Sequence, residues 1–207
     1  MKLSSPALLV ALLVGAMLAV APPAMAQMAS TNPAAVKPGT YKVDPYHTQV
    51  TFSLSHFGFT KFSGMFGDAS GSLTLNTAKP ASDRLDITIA TRSLLTTVPA
   101  LTTELNNAQW FNTAQFPTAT FVSTKVIRTS KDSATIDGNL TLHGVTHPIM
   151  LKARFIGAGV NPVDHAYTVG FAATGVIKRS EFGVKAFVPM VGDDVTLTLA
   201  GAFERQK

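Results

Sequence analysis

Apolar residues recur at every second position in eight separate stretches of this chain. The apolar phases are Val50, Phe52, Leu54; Gly71, Leu73, Leu75; Leu85, Ile87, Ile89; Ala119, Phe121; Ile136, Gly138, Leu140, Leu142; Ile149, Leu151, Ala153, Phe155; Tyr167, Val169, Phe171, Ala173, Gly175, Ile177; and Val195, Leu197, Leu199, Gly201, Phe203. Successive side chains of a pleated backbone point to opposite faces, so a period of two predicts strands with one apolar face each. Turn-forming clusters at Asn76 to Pro80, Ser130 to Asp132, Gly157 to Asp164 and Pro189 to Asp194 separate the strands as hairpin or longer loops. One segment breaks the period. Between Pro99 and Asn107, Pro99 suits a first helical turn, and Leu101, Leu105 and Ala108 fall at helical spacing. This predicted helix leads into Trp110, Phe111, Phe116 and Pro117, apolar bulk that needs burial and would find it as a cap over one end of the sheet.

Eight antiparallel strands joined by mostly short turns close into a barrel, so the expected fold is all-β, an eight-stranded antiparallel barrel with one short helix capping an end. Residue size decides whether its interior is filled. Gly71, Ala119, Gly138, Ala153, Ala173, Gly175 and Gly201 lie in the apolar phase, and small residues there leave room for a ligand. Small residues also serve barrel corners and close strand crossings. A membrane barrel would turn the apolar phase outward, but it calls for aromatic girdles at both ends, and the aromatics here are scattered.

Residues 1–26 read as a secretory signal peptide: a positive charge at Lys2, an apolar run from Ala7 to Ala21, and the exit Ala24, Met25, Ala26. Residues 27–39 are rich in Ala, Pro, Ser and Thr and read as a flexible lead-in, and the barrel domain runs over residues 40–204. With no cysteine, an exported chain relies on its core rather than on disulfides. The net charge of +5 falls to +4 when Lys2 is removed with the leader. Its cations stand singly, without the runs expected of a nucleic-acid surface, so nucleic acid is set aside as a partner. Lys178, Arg179 and Lys185 form a weak basic grouping that either attracts an acidic head group or is a solvated face.

Chemistry is sparse. His143 and His147 are four apart around a turn and His47 and His56 lie near the first strand, but no carboxylate or thiolate stands at a metal-ligand spacing beside them. No Gly-x-Ser-x-Gly nucleophile turn occurs. Neither a catalytic residue nor a metal or cofactor is assigned. Asp44, Pro45 and His47 read as a turn in which the Asp side chain bonds nearby backbone donors.

Four ordered blocks resemble the YceI-like family: Val43 to Ser53 with His56-Phe57-Gly58 and Gly64-Met65-Phe66; Phe116 to Phe121; Gly138 to Pro148 (GNLTLHGVTHP); and Ile177 to Val184 (IKRSEFGV). The resemblance implies a lipocalin-like barrel, periplasmic in Gram-negative bacteria, that holds a long polyisoprenoid or similar amphiphile. It also implies stress-associated roles and membrane or quinone-linked partner proteins. The helical segment departs from the family pattern, with Leu101, Thr102 and Glu104 where charged residues are common.

The tail contacts expected of such a barrel are the bulky members of the apolar phase, Phe52, Phe66, Leu73, Ile87, Phe121, Leu140, Phe155, Phe171 and Phe182, with Trp110 and Phe116 at the cap. Arg179 is a candidate for a pyrophosphate head group, or alternatively for an internal carboxylate. The expected function is periplasmic binding of an isoprenoid or fatty-acyl lipid, by the barrel alone or as a homodimer. A structural or stress-protective module with a filled core, and a His143/His147 metal protein or enzyme, are the competing readings.

Overall fold

The computed structural model describes residues 29–207, so the leader expected over residues 1–26 lies outside the described residues. The chain folds as ten β segments: β1 (Gly39–Val43), β2 (Gln49–His56), β3 (Thr60–Phe66), β4 (Ala69–Leu75), β5 (Arg84–Ala90), β6 (Thr118–Arg128), β7 (Ser133–Leu142), β8 (Val145–Val160), β9 (Tyr167–Lys178) and β10 (Asp194–Arg205). All pairings are antiparallel, and β1 meets β10 to close the sheet. β1 and β2 lie along the same edge of β10, at Phe203–Arg205 and Thr196–Ala200, and are the halves of one kinked strand. β3 and β4 form a second kinked strand against them. The ten segments therefore make a closed barrel of eight staves in simple up-and-down order.

Each kink has a visible cause. Between β1 and β2 the buried Asp44 carboxylate accepts from the Tyr46 N–H and pairs with His47, while the Thr48 hydroxyl bonds the Ala202 backbone. Between β3 and β4, Asp68 takes a positive φ of 48° and Gly67 is bonded to the Ser93 hydroxyl. The period-two reading missed β1 and β3 as separate runs because each is only half of a stave.

The apolar phase faces inward. Along β10, Val195 and Phe203 are buried while Thr196 and Thr198 are exposed, the reverse of a lipid-facing barrel. The expected helix forms as α1 (Pro99–Leu105), and no described helix is long and apolar enough to cross a membrane. Leu105 and Trp110 pack with Phe52, Leu54, Phe182 and Val184 into an apolar plug that fills this end of the barrel. The opposite end holds a second cluster around Tyr41, Val169 and Phe203.

Two expectations change. The loop expected from Gly157 is strand as far as Val160, and a β-bulge between Phe155 and Gly157 shifts its register. From Ala29 onward the lead-in makes specific contacts: Ser30 bridges Ala158, Tyr167 donates its hydroxyl to the Ala35 carbonyl, and Asn32 caps a short 3-10 turn at Pro33–Ala35. The strand continues because Gly159 and Val160 pair with Thr168 and Tyr167 of β9. A Cβ on Gly157 would stand 3.1 Å from the Ala29 Cβ, so the glycine lets the lead-in lie flat on β8.

Candidate functional site

The inward phase of the staves encloses an apolar cavity of two lobes. The larger, of about 450 Å³, is walled by Leu73, Leu85, Ile136, Phe155, Phe171 and Phe203 among others; the smaller, of about 120 Å³, by Phe66, Phe121, Leu140, Leu142, Ile149 and Ile177. Val50, Ile87, Ile89, Leu151 and Leu199 line both, so the lobes meet end to end along the barrel axis. The volume falls within the range of small-molecule sites.

Its width comes from alanine more than from glycine. Ala134 pairs with Ala153 and Ala153 with Ala173, so three neighbouring strands present a methyl group at one level of the larger lobe. Most of the glycines expected to leave room do not. A Cβ on Gly138 would stand 2.3 Å from the Phe121 ring, one on Gly175 2.7 Å from Leu151, and one on Gly71 2.0 Å from the Asp86 carbonyl oxygen. At Gly138 and Gly175 a neighbouring side chain already occupies the space, and Gly71 permits a close strand crossing. Gly201 does line the larger lobe, and Ala119 the smaller.

The larger lobe reaches the surface between the lead-in (Asn32, Pro33, Ala34, Val36), the β4–β5 loop (Asn76, Thr77, Pro80, Asp83) with Arg84 at the start of β5, and the β6–β7 loop (Lys131, Asp132) with Arg128 and Ser133 at the strand ends beside it. Burial raises the pKa of Asp83 above the ordinary carboxylate value, against the opposing bond from the Asn76 N–H and the charge of Arg84. The Ser130 and Ser133 hydroxyls hold that of Asp132 below it.

Of the expected tail contacts, Leu73, Phe155 and Phe171 line the larger lobe, Phe66, Phe121 and Leu140 the smaller, and Ile87 both. Phe52, Trp110 and Phe182 lie in the plug beyond the inner lobe. Phe116 packs on His143, ring centroids 4.4 Å apart, and covers Gly144. Those four line neither lobe.

Arg179 has a different place from the one its chemistry suggested. It is 4% exposed and donates to the carbonyls of Gly192, Val184, Ala186 and Val191 at 2.7–2.9 Å, with its guanidinium 5.6 Å from the Trp110 ring centre. Burial pushes its pKa down and the charge of Asp193 opposes this. It pins the loop from Gly183 to Asp193 over the closed end, far from the mouth along the staves. Burial works against the charge of Asp193, yet the Ser180 N–H and hydroxyl bonds, with Lys178 and Arg179, hold its pKa below the ordinary value. Lys178 is paired with Asp194 at 2.7 Å and Lys185 is exposed, so the basic grouping seen in sequence is divided among a buried role, an ion pair and a solvated side chain.

The histidines are placed by packing. His147 stands edge-on to Phe182, His56 to Phe57, and His47 bonds Asp44; no group of three or more potential metal ligands occurs among the described residues. Sequence reasoning missed the rim. Arg84 begins β5 and Arg128 ends β6, so strand ends flanking loops on one side of an up-and-down barrel were the signal available. It also passed over Ile89, Leu151 and Leu199, members of the apolar phase set aside in favour of aromatics.

A family model described as the YceI-like domain matches residues 41–203. The chain is 36% identical over 162 residues to a UPF0312 protein of Pseudomonas aeruginosa, a match covering 77% of this chain and 84% of that one. Among solved structures it is similar to Burkholderia cenocepacia BcnA, with a TM-score of 0.69 at 22% identity, covering 77% of this chain and 98% of that one. A polyisoprenoid binding domain from Saccharophagus degradans, implicated in plant cell wall breakdown, shares the fold with a TM-score of 0.61 at 15% identity, covering 82% of this chain and all of that one.

Proposed function

Since the chain belongs to the YceI-like family, we propose that it is an exported lipid-binding protein, a periplasmic barrel that takes the tail of a long-chain isoprenoid or similar amphiphile into its interior for sequestration or for transport between membrane-linked sites. The observation that carries this reading is the two-lobed apolar cavity. Empty apolar volume is costly to a fold, and a hydrocarbon tail removes that cost while leaving water. Each methylene transferred contributes about 0.8 kcal/mol, so a tail binds well with few polar contacts and without a metal or covalent bond.

The leader over residues 1–26 supports export, and the binding domain from Saccharophagus degradans, with its similar fold, supports a prenyl ligand. The reading is one of binding rather than catalysis. The test is titration of the mature protein with a fluorescent prenyl or acyl probe. Saturable uptake of one probe per chain is expected; a protein that takes up neither probe would overturn the reading.

A further inference from the structure

The rim of the larger lobe divides its charges unequally. Asp83 accepts from the Asn76 N–H, and Asp132 from the Ser130 and Ser133 hydroxyls, so both carboxylates are engaged inside their own loops. Arg84 and Arg128 donate only to backbone carbonyls, of Ala81 and Asp83 and of Ser130 and Lys131 respectively. The ion pairs among the described residues are His47–Asp44 and Lys178–Asp194, so Arg84, Arg128 and Lys131 have no carboxylate partner there. All three are exposed and line the opening of an otherwise apolar cavity. Exposed cations with donors to spare, brought to one mouth by two strand ends and the loop beside them, suit a small oxygen anion.

The other end of the cavity has a floor. Phe66 lines the inner lobe and is backed by Phe111, ring centroids 5.3 Å apart, and by Phe52 at 5.7 Å. At about 30 Å³ for each water-sized group, the outer lobe of 450 Å³ and the inner lobe of 120 Å³ hold about 15 and about 4 carbon atoms.

We propose that the ligand is a single-chain amphiphile with an anionic carboxylate or phosphate head, held at the mouth by Arg84, Arg128 and Lys131, and that the barrel encloses a tail of about 15–20 carbons ending against Phe66. This inference rests on the lipid-binding reading and adds to it the head-group chemistry, the direction of entry and the enclosed length.

The test compares hexadecanoate, hexadecyl phosphate and hexadecanol by calorimetry on the mature protein and on Arg84→Gln/Arg128→Gln, with inorganic phosphate alone as a further arm. The acid and the phosphate ester should bind at least about tenfold more tightly than the alcohol, and in the double variant the acid and the ester should lose affinity down to the level of the alcohol, so that the preference disappears. Across saturated acids, affinity should rise by up to about fourfold per added methylene and level off once the tail fills the barrel. Equal affinity for acid and alcohol, or equal loss of both in the variant, overturns the head-group assignment and leaves lipid binding standing. Inorganic phosphate binding as tightly as the phosphate ester makes the rim a free-anion site and likewise overturns it. Affinity still rising well beyond 20 carbons overturns the enclosed length. Failure of all three amphiphiles to bind overturns this inference, and the lipid-binding reading then stands or falls on uptake of the prenyl probe.

Discussion

Ala173→Phe tests whether the cavity is the binding volume. Ala173 lines the larger lobe and pairs with Ala153 on β8 and Leu199 on β10, so a phenyl ring placed there projects into the widest level of the barrel. The substitution adds six carbon atoms and displaces a similar length of tail. At about 0.8 kcal/mol per methylene the loss approaches ~5 kcal/mol, and even half of that lowers affinity more than about tenfold. The fold is expected to tolerate the ring, because it enters open space rather than packed core, where overpacking costs about 1–3 kcal/mol. Thr174→Phe is the matched control: Thr174 is the next residue on the same strand and is exposed on the outer face. Competition against a bound fluorescent acyl probe reads the affinities, and urea unfolding reads the stabilities. Wild-type uptake by Ala173→Phe would refute the cavity as the site. Equal losses in both variants would show that bulk on this strand harms the fold rather than the ligand.

Other predictions concern the walls and ends. Arg179→Met leaves four carbonyls over the plug without their donor and should cost at least about 3 kcal/mol in urea unfolding, although the residue is remote from the mouth. Tyr41 is fully buried and donates to the Lys37 carbonyl, and burial first, then the charge of Tyr167, pushes its pKa from 10.0 up to about 12. The neutral phenol therefore favours the folded state below pH 10, and this stability is lost as pH rises from 10.0 to about 12; Tyr41→Phe should flatten that part of the alkaline unfolding profile. Gly157→Val pushes against Ala29 and should free the lead-in from β8, read as faster amide hydrogen exchange at Ser30 and Ala158 with the barrel itself intact.

Much of the barrel could be read from sequence because a closed sheet imposes a strict period: one face inside, one outside, with no exceptions for long loops. The eight runs correspond to eight staves, and the segment from Pro99 became the helix beside the plug. The kinks were hidden, since a strand broken at Asp44 or Gly67 keeps its period on both sides of the break. Which inward residue touches open space was also hidden. Gly138 and Gly175 have the composition of vacancies, but Phe121 and Leu151 lean into them, and that depends on rotamers and cross-strand neighbours rather than on sequence spacing. Arg179 illustrates the same limit. A guanidinium on an apolar strand end suggests a ligand contact, and only the path of the following loop shows that its donors are already taken by four carbonyls.

The most direct test of the central claim is native mass spectrometry of the protein purified from its host without detergent, followed by solvent extraction of whatever it carries. The account predicts a species heavier than the bare chain by the mass of one amphiphile, and an extract that restores that mass when added back. A preparation that runs only at the bare mass, and that stays there when offered prenyl and acyl amphiphiles in excess, would contradict it.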